Sequence, residues 1–253
     1  LQRIGLSATV GNPEEILSWL QRSHEAGGRV VDPGGGRKTE PEIVVDFCQT
    51  MENAARLTAA LHRGKKRLVF VDSRKGAEEL GQHLNQLGVM TFVTHGSLSV
   101  SARRDAETAF ASRDNCVIVS TSALELGIDV GDLDHVLQID APNTVASFLQ
   151  RMGRTGRREG QVANCTFLVT KEQRLLKAMA LVRLHDRGFV ESVAPSRRAT
   201  HILAHQLMAL AVQSGGVGRS AWWSWLEGAA PFAGLSMDER ETLLEHMLDE
   251  QIL

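Results

Sequence analysis

The chain has 253 residues, enough for one large domain or two modest ones. Hydrophobic residues make up 43% and charged residues 23%, ordinary for a globular protein. A net charge of −2 excludes a uniformly basic nucleic-acid binder, so any such surface must be local. No run is apolar for long enough to span a bilayer, and no signal peptide is visible. Cys48, Cys116 and Cys165 are widely spaced and form no metal pattern. They read as buried free thiols of a reducing compartment, which places the protein in the cytoplasm.

In chain order, Leu1–Thr9 reads as a short apolar strand ending in small hydroxyl residues, among them Ser7 and Thr9. Asn12 is placed to cap a helix through Leu20, with Pro13 in its first turn. Residues 25–41 hold five glycines and two prolines and read as a connector. Their triple glycine suggests a phosphate cradle, but no Gly-Lys-Ser or Gly-Lys-Thr follows. Glu42–Cys48 reads as a strand and Glu52–Leu61 as an amphipathic helix.

A βα series follows. Arg67–Asp72 is an apolar strand, and Ser73 is placed to cap a helix reaching about Leu87. Val89–Thr94 is a strand leading to His95, Gly96 and Ser97, and Ser101 opens a helix to about Ala111. Cys116–Thr121, Asp134–Asp140 and Asn164–Thr170 are further strands. Continuous apolar strands alternating with helices imply a parallel sheet covered on both faces, an α/β fold. Ligands of such sheets bind beyond the carboxyl ends of the strands. Ser73-Arg74, His95-Gly96-Ser97, Ser120-Thr121 and an arginine-rich block are expected to converge there. Each has a plainer reading: Ser73 as a cap, His95 as a structural strand end, Thr121 as a strand terminator. Small hydroxyls and free amides also suit a sugar-phosphate backbone.

The arginine block is Gln150-Arg151-Met152-Gly153-Arg154-Thr155-Gly156-Arg157. It follows Asn143–Leu149, which reads as an N-capped helix running into the arginines, and Gly153 and Gly156 end that helix. A guanidinium is a permanent charge with a planar fork of donors, suited to a phosphate that gains charge. This block resembles the sixth motif of superfamily 2 helicases. Val119–Asp129, with Ser122-Ala123-Leu124-Glu125-Leu126-Gly127-Ile128-Asp129, resembles their fifth, in the form typical of the large helicase-related (Lhr) group. Ser7-Ala8-Thr9 is similar to their third.

The resemblance implies the second RecA-like lobe of a P-loop NTPase-type motor, over residues 42–190. Residues 1–25 would be the tail of the first lobe, 26–41 the linker, and 191–253 the all-helical start of a winged-helix domain. Arg154 and Arg157 would be arginine fingers. Gly127, Asp129, Gln150 and Arg151 would meet the nucleotide, with Asp129 on its ribose. Ser73, Arg74, His95, Gly96, Ser97, Ser120 and Thr121 would meet the nucleic acid, and Ser7 and Thr9 would couple the two. The implied activity is ATP-dependent translocation, 3′ to 5′, on DNA rather than RNA. Mg2+ would be held mainly by a first lobe that this chain lacks, so the chain alone is expected to be inactive. The alternative is a binding module that kept the helicase shape without turnover.

Beyond the last strand, residues 171–198 carry seven basic and three acidic side chains, a modest excess that either tracks phosphates or is a solvated face. Ala199–Val212, Gly218–Glu227 and Ser236–Leu248 read as helices, with Ser236 and Glu239 forming a capping box. From Glu227 on there are seven acids and one arginine, Arg240. Such a helix is ill suited to a DNA groove and is expected to pack on the RecA-like lobe. Trp222, Trp223 and Trp225 are expected in the core.

Overall fold

The computed structural model describes residues 3–7, 9–21, 27–32, 40–96, 108, 115–124, 133–158 and 160–253. The chain divides into two compact units, one of residues 34–191 and the other of 1–33 with 192–253.

The larger unit is a six-stranded, wholly parallel sheet. Its strands are β1 (Glu42–Phe47), β2 (Lys66–Phe70), β3 (Thr91–Thr94), β4 (Cys116–Ser120), β5 (His135–Ile139) and β6 (Asn164–Val169), in the spatial order β1-β6-β5-β2-β4-β3. Strand residues alternate between two cores, as the pleat requires. Leu68, Phe70, Ile118, Val136, Cys165 and Phe167 point to one face. Val69, Val117, Val119, Leu137, Ile139 and Leu168 point to the other. Each buried side chain of this size contributes about 1.5–3 kcal/mol.

Helices α2 (Met51–Ala60) and α3 (Arg74–Gln86) cover the second face, through Ala54, Ala55, Ala77, Leu80 and Leu84. Two more, α4 (Val145–Met152) and α5 (Glu172–Asp186), cover the first, through Val145, Phe148, Met152, Ala178 and Leu181. Helix starts follow local chemistry: Thr50, Ser73 and Thr144 accept from the amides of Asn53, Gly76 and Ser147. Arg67 departs from the apolar reading of its strand. It is 2% exposed, and its guanidinium donates to the carbonyls of Thr58 and Leu61 and to Asn115 Oδ1. It thus satisfies carbonyls left open where α2 ends.

The smaller unit contains α1 (Pro13–Gln21), α6 (Thr200–Ser214) and α7 (Met237–Asp249), with 3-10 turns at Trp222–Trp225 and Ala230–Phe232. Leu203, Leu207, Trp222, Phe232, Leu235, Leu244 and Met247 form its core, so α7 buries its apolar side chains with α6. The capping box at Ser236 and Glu239 is present. Trp222 is buried, but Trp225 is 69% exposed, against expectation.

At the start of the chain the expected strand fails, while the expected helix begins at Pro13 with Asn12 before it, whose carbonyl accepts from Ile16 N. The described part of 1–9 forms no strand, and Ile4 and Leu6 are 72% and 94% exposed. A strand with no neighbour has no ladder to satisfy its amides. Asn12 does not serve as the expected side-chain cap: its Oδ1 accepts from Val193 N, and its Nδ2 donates to Val193 O and Glu15. Trp19 Nε1 donates to Ser196 O, which ties α1 further to the segment after residue 191.

Candidate nucleotide and nucleic-acid site

The carboxyl edge of the sheet carries a cleft of about 300 Å³ lined by Asp72, Arg74, Gly96, Thr121 and Ser122. Its walls are the exits of β2, β3 and β4, so three of the residues expected to meet nucleic acid, Arg74, Gly96 and Thr121, converge. The backbone fixes them there: Val71 N donates to Ser120 O, and Thr121 N to Thr94 O. Arg74 is exposed at the first position of α3.

Other expected contacts are consumed by the fold. Ser73 Oγ accepts from Gly76 N as a helix cap. Ser120 is fully buried and its hydroxyl donates to Thr121 O. His95 is 8% exposed; its Nε2 lies 2.8 Å from Glu78 Oε1, while Nδ1 has no partner among the described residues. Its plainer structural reading fits that burial. Ser97, Gly127 and Asp129 lie outside the described residues, as does the helix expected from Ser101 apart from Thr108. Ser7 and Thr9 belong to the other unit, where Thr9 N donates to Ser7 Oγ at 3.4 Å.

The arginine block does not sit wholly at this edge. Helix α4 leaves the carboxyl end of β5 and runs back along the sheet, so the turn that follows it lies against the start of β6. Thr155, 1% exposed, donates from Oγ1 to Met152 O and accepts from Asn164 N, at 2.9 Å in each case. Gly156 has φ +66°, and a Cβ there would lie 2.5 Å from Ala163 N. Only glycine fits that close approach with that φ. Held by these two small residues, Arg154 is half-buried and Arg157 exposed, with Arg157 Nε donating to Gly153 O at 3.2 Å.

Arg151, expected on the nucleotide, is buried against the sheet. It is 5% exposed, lies 4.9 Å from the centre of the Phe70 ring, and donates to Gln138 Oε1 at 2.5 Å and to Asp72 Oδ1 at 3.2 Å. A buried guanidinium must be paired, and these partners pair it. Asp72 also lines the cleft, so one ion pair joins the cleft to the arginine helix. The sequence reading missed Asp72 and Gln138; the signal available was an acid at a strand exit, directly before a helix cap. Gln150 is half-buried on α4.

The three cysteines are free and buried, and burial pushes the Cys165 thiol up to about 12, so it stays protonated. Among the described residues no group of three or more His, Cys, Asp or Glu side chains is placed to hold a metal. No helix among them is long and apolar enough to cross a membrane. Exposed Arg74 and Arg157 offer guanidinium charge, which suits phosphate recognition.

Comparison with known proteins agrees with this geometry. The family described as the helicase conserved C-terminal domain matches residues 49–159. "Lhr helicase/ probable uracil glycosylase" of Mycolicibacterium smegmatis is 28% identical over 96% of this chain and 19% of its own length. "ATP-dependent helicase Lhr-Core protein 2" of Thermococcus barophilus is 28% identical over 98% of this chain and 31% of its own. The structure of Mycobacterium smegmatis helicase Lhr bound to ssDNA and AMP-PNP superposes with a TM-score of 0.84, at 30% identity, over 96% of this chain and 34% of that one. The fold of the sheet unit is thus similar to that of helicase C-terminal domains. Over most of its length the chain is similar to a region of Lhr-type helicases, and residues 49–159 match the helicase conserved C-terminal domain. It spans between 19% and 34% of the length of the three relatives named.

Proposed function

We propose that this chain is the part of an ATP-dependent helicase or translocase that supplies arginine fingers and part of the nucleic-acid grip. The observation that carries the reading is the arginine turn: Thr155 and Gly156 fix the backbone while Arg157 is exposed. ATP with Mg2+ would be held mainly by a first RecA-like lobe. When that lobe closes, Arg154 and Arg157 would approach the terminal phosphate and offset the charge that develops as its bond to the leaving oxygen breaks. Gln150, Gly127 and Asp129 would complete the nucleotide side. Arg74, Gly96 and Thr121, with Ser97, would follow the sugar-phosphate backbone, and Ser7 and Thr9 would couple the two events. Residues 1–25, 26–41, 42–190 and 191–253 would be the end of that first lobe, a linker, the second lobe and the start of a winged helix. The partners printed for the solved mycobacterial relative, ssDNA and AMP-PNP, support DNA over RNA. Movement from 3′ to 5′ follows by the same family analogy, and the cytoplasm is the fitting compartment for such a motor.

The test is Arg157→Ala in the complete protein. DNA-stimulated ATP hydrolysis should fall at least about 10³-fold, the scale of an arginine finger, with single-stranded DNA binding within a few-fold of wild type. Retained hydrolysis with lost binding would instead identify a nucleic-acid contact.

A further inference from the structure

Helix α4 is only eight residues long, yet it carries the whole arginine block on its far end. Its start is held from a distant point in the chain. One carboxylate oxygen of Glu191 accepts from Val145 N at 2.7 Å, and the other accepts from Ala146 N at 2.9 Å. Thr144 Oγ1 takes Ser147 N at 3.0 Å. Every otherwise open amide of the first turn therefore has a partner, and the added negative charge matches the positive end of the helix dipole. Burial alone would raise the carboxyl pKa of Glu191, but the amides of Val145 and Ala146 outweigh it and hold the group below its ordinary value. Glu191 is also the last residue of the sheet unit; Ser192 opens the return to the other unit.

We propose that Glu191 is a positioning residue for the arginine turn, clamping α4 at the point where the chain leaves the sheet unit. A small rotation of so short a helix at its start displaces the guanidiniums at its end. The effect on catalysis runs through Arg154 and Arg157, so the inference rests on the phosphate-contacting reading given above.

The experiment uses the complete protein with Glu191→Ala and Glu191→Gln, which keeps one carbonyl acceptor but no charge. Single-stranded-DNA-stimulated ATP hydrolysis is resolved into kcat and KM, beside hydrogen exchange at the amides of residues 145–147 and a thermal melt. For Glu191→Ala, kcat should fall about tenfold with KM for ATP within about twofold, since misplacement of a reacting group acts on the rate. Exchange at 145–147 should rise, and Glu191→Gln should fall between. If kcat is unchanged while exchange rises, or if the loss vanishes on assay well below the melting temperature, Glu191 is a stabilising cap only and the inference is overturned. Should Glu191→Ala not fold, Glu191→Gln decides by the same criteria. Arg157→Ala run in parallel separates the two ideas. Normal hydrolysis there sinks the arginine-finger reading, whereas a dead Arg157→Ala beside fully active Glu191 variants sinks this inference alone.

Discussion

The carboxyl edge of the sheet and the arginine turn both present groups suited to anions, but they are built in opposite ways. At the edge, the hydroxyls and imidazole are turned back into the fold: Ser73 caps α3, Ser120 bonds Thr121 O, and His95 meets Glu78. Among the described residues, Arg74, Gly96 and Thr121 line the cleft there, with Asp72 and Ser122. At the turn, small buried residues do the holding and a long side chain projects. Polar residues at strand exits therefore do not amount to a surface. The residue that leaves the fold is the one whose neighbours have already satisfied the backbone.

That contrast is open to attack at four positions. Arg151 is common to both regions, so Arg151→Met should have the largest effect, about 3 kcal/mol in urea denaturation, because Gln138 and Asp72 lose their buried partner. A loss below about 1 kcal/mol would mean that edge and turn are not joined through this pair. Gly156→Ala should cost about 2–3 kcal/mol, from a Cβ forced against Ala163 at positive φ. Thr155→Val keeps the shape but removes the bonds to Met152 and Asn164, and should cost about 1–2 kcal/mol. Arg74→Ala, at the edge, should change stability by less than about 0.5 kcal/mol. In the complete protein it should weaken single-stranded DNA binding uniformly across sequences and reduce the salt dependence by roughly one ion, read by fluorescence anisotropy. An Arg74→Ala protein as unstable as Gly156→Ala would erase the distinction.

What the sequence disclosed was local or periodic. Strands β2, β4, β5 and β6 showed as continuous apolar runs because both faces of a parallel sheet are covered. The Ser73 cap and the Ser236–Glu239 box showed because their partners lie three residues away. The arginine block stood out by spacing, but which arginine faces inward did not. Arg151 is decided by Asp72, 79 residues earlier, and the start of α4 by Glu191, 46 residues later than Val145. Arg67 reads as the edge of an apolar strand until α2 brings two carbonyls above it. The opening segment misled for the converse reason: its apolar residues suggest a strand, but a strand exists only beside another strand.

The pairing of β1 with β6 has a temporal meaning. These neighbours lie 122 residues apart along the chain, Glu42 beside Asn164, and β6 is also the strand against which Thr155 and Gly156 settle. Such a distant closure is slow, because the entropy of the intervening loop must be lost before any ladder forms. On a ribosome, β1 must wait without any ladder partner until the last strand of the sheet emerges. The same insertion that gives β1 its partner also seats the arginine turn, so the turn takes its place late in the assembly of the sheet.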